Sequence, residues 1–296
     1  MRTDDLFKEK TVFSYEIFPP RRTAPIDTIY HTLDRLKGQQ PDFISVTLGA
    51  GGSGDNLSTA DIAQKIQDEQ FLPSVAHLPA VNFSKEEIIT ILEELKQKKV
   101  ENILALRGDI LPDKKPKKDF KHANDLVTFI HEQGEFNIIG ACYPETHGDA
   151  ENSVEDIKNL KRKVDSGTNQ LITQLFFDNN YFYTFKEKCD IANIDVPIQA
   201  GIMPVVNKKQ IERMLKMSNV TLPHKFLKMM ERYEHNPEAI RDAGIAYAIN
   251  QIVDLVAQGA DGIHLYTMNN PYVAQKIREA TRSLFEVESK LSLILK

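Results

Sequence analysis

Eight short runs rich in β-branched and aromatic residues, each followed by a longer segment of helical periodicity, constrain this chain more than any other feature. They lie near residues 11–18, 42–48, 73–78, 102–107, 137–143, 169–177, 196–202 and 260–267. Strict strand–helix alternation implies a parallel sheet, because each return to the same sheet edge needs a crossover helix. Eight such units in 296 residues favour closure into a single (β/α)8 barrel over an open, doubly wound sheet. Local punctuation agrees: Ser84-Lys-Glu-Glu87 has capping-box spacing, with Ile88, Ile91, Leu92 and Leu95 following on one face. Asn236-Pro237 supplies an N-cap and first-turn proline, and Gly259 closes the helix that follows. No linker, repeat or composition break divides the chain, so one catalytic domain over residues 1–296 is expected, without a separate regulatory domain.

With 41% hydrophobic residues and a net charge of −5, the chain can bury a large core and offers no broad basic surface for nucleic acid or anionic lipid. Small molecules are the expected partners. Two distant cysteines, Cys142 and Cys189, give neither a disulfide framework nor a metal-binding pair, and both are expected as reduced core residues. The eight histidines lack HExxH or other paired spacing, so no metal is expected. Nothing resembles a leader peptide, and no apolar run reaches the ~18 residues of a membrane span, so the expected location is the cytoplasm. The lysine-rich stretch from Asp113 to Lys118 is most simply a solvated loop.

In a barrel of this kind, polar side chains at strand C-termini belong to the site. Strand one alternates Phe13, Tyr15 and Ile17 on one face with Ser14 and Glu16 on the other, then stops at Pro19-Pro20. Glu16 should therefore face the barrel mouth. Thr47, His77, Arg107-Gly108-Asp109, Tyr143, His147 and Gln174 fall at later strand ends. A lone inward His or Thr is usually a hydrogen-bonded structural residue. A desolvated carboxylate is harder to place without a partner, which leaves Glu16 and Asp109 paired, protonated or functional. Arg107 and Asp109 could also form a mutual ion pair. Gly49-Ala-Gly-Gly-Ser-Gly54 matches GxGxxG, but it follows the second strand and the next strand ends in His77. That rejects a Rossmann dinucleotide site and reads better as a glycine loop at the mouth.

Five ordered segments, Ser14-Tyr-Glu-Ile-Phe-Pro-Pro-Arg21, Ser45-Val-Thr-Leu-Gly-Ala, Ala105-Leu-Arg-Gly-Asp, Tyr143-Pro-Glu-Thr-His147 and Ile172-Thr-Gln-Leu-Phe-Phe-Asp, together resemble the bacterial methylenetetrahydrofolate reductases. The resemblance implies a (β/α)8 barrel holding FAD without covalent attachment. It implies reduction of 5,10-methylenetetrahydrofolate to 5-methyltetrahydrofolate by ping-pong hydride transfer, with NADH or NADPH as donor and NADH favoured, in a homo-oligomer. By position it assigns Glu16 as general acid and Asp109 as the charge that tunes the flavin. It assigns flavin contacts to Thr47, His77, Arg107, Gly108, Asp109, Tyr143, His147, Ala150, Asp156, Asn159, Arg162 and Lys163, and folate contacts to Glu16, Gln174 and Gln210. On the bare sequence, Lys161-Arg-Lys163 would be a solvated helix face.

His122, Met214 and Asn270 stand where the family often has tyrosine, phenylalanine and arginine, which bears on substrate-side contacts. Two other readings fit the residues: a different flavin-dependent barrel oxidoreductase, and a flavin- or folate-binding subunit of an electron-transfer complex. Retention of Glu16 and Asp109 speaks against the second.

Overall fold

The computed structural model describes residues 1–20, 27–48, 59–108, 116–207, 209–210 and 220–294. Eight parallel strands close on themselves in sequence order: β1 (Val12–Ile17), β2 (Phe43–Val46), β3 (Ser74–Pro79), β4 (Asn102–Leu106), β5 (Asn137–Cys142), β6 (Gln170–Thr173), β7 (Ile198–Ile202) and β8 (Gly262–Tyr266). Closure is made by β1 on β8, with Val12 opposite Gly262 and Glu16 opposite Tyr266. Nine α-helices lie among the described residues: α1 (Asp27–Leu36), α2 (Thr59–Gln70), α3 (Lys85–Gln97), α4 (Ala123–Gln133), α5 (Ser153–Asp165), α6 (Asn179–Ile191), α7 (His224–Tyr233), α8 (Pro237–Ala257) and α9 (Pro271–Ile294). The expected barrel is therefore the observed one. Strand six ends at Thr173 rather than near 177: Gln174 still donates its N–H to Cys142 O at 2.7 Å, but Phe176 and Phe177 turn away to pack against Phe182 and Phe226.

Alternation along each strand sorts side chains between two cores. Phe13, Tyr15 and Ile17 point outward with Ile44, Val46, Ile103, Ile138 and Ile263 into the layer beneath the helices. Val12, Phe43, Val75, Leu104, Ile139 and Ile172 fill the barrel itself. A period of two thus places one apolar set under the helices and another along the axis. Local signals were obeyed: Ser84 accepts from Glu87 N while Glu87 reaches back to Ser84 N, and Asn236 caps α8 through Glu238 N and Ala239 N. Gly259 follows α8 with φ +79°, the left-handed conformation that closes helices at low cost in glycine. Cys142 and Cys189 are buried free thiols.

The chain start seals the barrel floor. Leu6 and Phe7, in a 3-10 turn over Asp4–Lys8, pack under the axial core. Thr3 enters fully buried: its N–H donates to Asn102 Oδ1 at 2.9 Å and its hydroxyl to Gln170 Oε1 at 2.8 Å. Asn137 Nδ2 donates to both Asn102 Oδ1 and Thr3 Oγ1 at 2.9 Å. Asn102 Nδ2 donates to Ser74 O and Met1 O. This floor fixes the register of β3 to β6 by side-chain amides, leaving the opposite end open.

Candidate active site at the barrel mouth

Glu16, at the end of β1, is 7% exposed. Its Oε2 lies 3.6 Å from His77 Nε2 on β3 and 3.7 Å from His264 Nε2 on β8. The two imidazoles and Tyr266 surround the carboxyl, Phe18 lines the same cavity, and Phe13 and Tyr15 occupy the opposite strand face. Burial pushes the His77 imidazole down to about 4, with Glu16 opposing and His264 adding to the shift. His77 is therefore neutral near pH 7.

The tautomer of His264 follows from its neighbours. Gln199 Nε2 donates to Ser14 Oγ at 2.9 Å, and Ser14 Oγ lies 2.7 Å from His264 Nδ1 but 3.5 Å from Ile263 O. The single serine hydrogen belongs on the shorter contact, so Nδ1 accepts and Nε2 carries the proton toward Glu16. Tyr266 completes the wall: its hydroxyl donates to Thr173 O at 2.7 Å, and burial, with Glu16 next, holds its phenol well above the ordinary range. Gly201 allows this arrangement, since a Cβ there would stand 2.3 Å from Thr173 O and 2.8 Å from the Tyr266 ring.

A cavity of about 730 Å³ opens over this cluster, lined by Glu16, Thr47, His77, Arg107, Gly108, Tyr143, His147 and Gln174 among others. A second cavity of about 400 Å³ runs outward beside α5 and carries Arg107, Tyr143, His147, Ala150, Asp156, Asn159, Arg162 and Lys163. The two share Leu106, Arg107, Ala141, Tyr143, His147 and Asp149. One elongated molecule could span both.

The shared wall is tightly tied. Tyr143 and His147 meet edge to face with centroids 4.4 Å apart. His147 N donates to Asp156 Oδ2 at 2.8 Å, and Asp149 N donates to His147 Nδ1 at 3.0 Å. Gly108 has φ +82°, and a Cβ would lie 2.5 Å from Pro79 Cβ, which explains glycine after Arg107. Arg107 pairs with Asp149 at 2.5 Å. Lys161 and Arg162 pair with Asp165 and Glu155 on the surface of α5, as a solvated face would. Lys163 instead turns inward, its Nζ donating to Ala141 O at 2.7 Å, and burial lowers its ammonium from the usual range.

Two assigned residues stand apart. Asp109 lies outside the described residues, as do the glycine loop 49–54, Lys114 and Met214. Gln210 lines neither cavity; its Oε1 accepts from Val206 N at 2.8 Å. Sequence reasoning missed His264, Gln199, Tyr266 and Asp149. For the first and third, the inward phase of β8 was the available signal.

A closed parallel barrel with its polar, cavity-lining side chains at the C-terminal strand ends is the arrangement of a barrel enzyme. Residues 2–282 match the family described as Methylenetetrahydrofolate reductase. The chain is 37% identical over 265 residues to 5,10-methylenetetrahydrofolate reductase of Escherichia coli K12, covering 89% of this chain and 88% of that one. It is 36% identical over 277 residues to a probable methylenetetrahydrofolate reductase (NADH) of Oryza sativa, covering 88% of this chain and 46% of that one. Among solved structures, an uncharacterized Clostridium thermocellum protein that binds two copies of 5-methyl-5,6,7,8-tetrahydrofolic acid superposes with TM-score 0.64 at 12% identity, covering 97% of this chain and 100% of that one; this likeness is one of fold. The chain belongs to the methylenetetrahydrofolate reductase family and is an oxidoreductase.

Proposed function

We propose that this chain reduces 5,10-methylenetetrahydrofolate to 5-methyltetrahydrofolate at the barrel mouth, with FAD as cofactor and NADH or NADPH as electron donor. The observation that carries the reading is the buried Glu16 carboxyl at one end of a joined cavity whose joint carries Arg107 and whose outer arm carries Arg162 and Lys163. His77 Nε2 is buried without a hydrogen-bond partner beside that cavity, and polar atoms so placed suit a flat heteroaromatic occupant. The cationic end suits a pyrophosphate.

FAD, when bound, supplies hydride relay between nicotinamide and folate, which take turns at one face and so give ping-pong kinetics. Contacts to it are assigned to Thr47, His77, Arg107, Gly108, Tyr143, His147, Ala150, Asp156, Asn159, Arg162 and Lys163, with Asp109 as the charge near its pyrimidine edge. Glu16 is assigned the delivery of a proton to the folate nitrogen as the imidazolidine ring opens. The His264 Nε2–H, 3.7 Å away, then faces the resulting carboxylate and moderates the cost of its burial. Gln174 Oε1 accepts from Leu175 N, which leaves its amide nitrogen to donate to the pterin. Gln210 is assigned a similar folate contact.

Purified protein should show a flavin absorption spectrum that NADH bleaches. Glu16→Gln should keep that colour and its bleaching while folate reduction falls by at least about a hundredfold, the range of a lost general acid. A colourless protein that takes up no flavin overturns the cofactor reading, and unimpaired folate reduction by the variant overturns the role of Glu16.

A further inference from the structure

Three cationic side chains line the outer cavity, and each has a partner within this chain. Lys163 is bound to a backbone carbonyl, and Arg162 to Glu155 and Asn159, neither contact setting a carboxylate on the cavity wall: Glu155 does not line it. Arg107 differs. Its partner Asp149 is itself a wall residue at the joint shared by both cavities, with the Asp149 side chain 63% exposed. The backbone at 149 is anchored separately, through its N–H to His147 Nδ1. The carboxylate is thus free to swing into solvent while the loop stays in place.

We propose that Asp149 is a surrogate anion, holding the Arg107 guanidinium in the position of a cofactor phosphate and yielding it when a diphosphate-bearing dinucleotide enters. This rests on the dinucleotide reading above. Guanidinium binds carboxylate and phosphate through the same fork of donors, so the two occupants exclude each other. Asp149 therefore weakens binding twice, by competing for Arg107 and by leaving a negative charge near the incoming phosphates. Its internal pairing also keeps Arg107 from drawing in stray monoanions, which must compete with a tethered carboxylate. The Arg107 charge already holds the Asp149 carboxyl below its ordinary range, the direction expected of an engaged pair.

The test titrates flavin-stripped protein with FAD, followed by flavin fluorescence, and with ADP, followed by calorimetry. Asp149→Asn keeps the side-chain shape and the backbone anchor. It should tighten both ligands by about two- to fivefold at low ionic strength, the scale of an exposed ion pair, and the gain should fade toward molar salt. Asp165→Asn, the same change in net charge on a residue outside the cavity, should leave both affinities unchanged. Equal or weaker binding by Asp149→Asn overturns the proposal, since a residue that contacts the ligand favourably would lose affinity. If ADP tightens while FAD binds neither protein, the surrogate role stands and the flavin reading falls. If FAD binds both proteins equally, the reverse holds.

Discussion

Replacing His77 with Gln should make the fold less sensitive to acid. In the folded chain the His77 imidazole is buried and its pKa depressed to about 4 from 6.5. Between those values the unfolded chain binds a proton at position 77 that the folded chain excludes, so stability falls as pH drops through 6.5 and the loss is complete near 4. A depression of that size amounts to about 3 kcal/mol in full, and about 2 kcal/mol is lost by pH 5. Glu16, 3.6 Å away, acts in the opposite sense and is already included in the net shift. The assay is urea unfolding of ligand-free wild type and His77→Gln at pH 7 and pH 5, accepted only where the two proteins share an m-value. Most other titrating groups are common to both, so the difference between the two pH-dependences reports residue 77 together with its coupling to Glu16 and His264. Wild type should lose about 2 kcal/mol more than the variant. Equal losses would refute the reasoning, because they would mean that His77 accepts its proton in the folded mouth as readily as in the unfolded chain.

Two further changes probe the frame around the site. Gly201→Ala drives a methyl group against Thr173 O and the Tyr266 ring; moving the ring relieves only the second contact, so the β6–β7 backbone must shift as well, at about 1–3 kcal/mol, read as a fall of several degrees in the thermal midpoint and contradicted by an unchanged one. Asn102→Ala removes the acceptor of Thr3 N and the donor to Met1 O, costing about 1–3 kcal/mol. Amide exchange should accelerate over residues 1–8, and equal protection there would show that the apolar contacts of Leu6 and Phe7 alone hold the floor.

The barrel was legible because its strands announce themselves in two ways at once. Val12 to Ile17 is β-rich, and it also alternates, so both the element and its inward face could be read, including the direction of Glu16. Strand six was over-extended because Leu175, Phe176 and Phe177 continue the apolar run; what ends the strand is the packing of Phe176 and Phe177 against helices that no local window contains. At the site, the residues brought to the cavities from separate strands were mostly nameable, since the family resemblance fixed them by position. Their states were not. Whether Lys163 faces solvent or Ala141 depends on one turn of α5, and the proton on His264 depends on Gln199 and Ser14, 65 and 250 residues away in the chain. Asp149 was overlooked because a surface aspartate in a turn is unremarkable until an arginine from another strand is seen beside it.

The sealed floor also orders events during synthesis. Thr3 finds its partners 99 and 167 residues downstream, so this segment must wait until Gln170 has left the ribosome, roughly ten to thirty seconds at ordinary translation rates. Through that interval the opening segment has neither its amide clasp nor its apolar seat, and Val12 waits longer still for Gly262. A cylinder built in chain order therefore stays open along one seam until its eighth stave arrives beside its first.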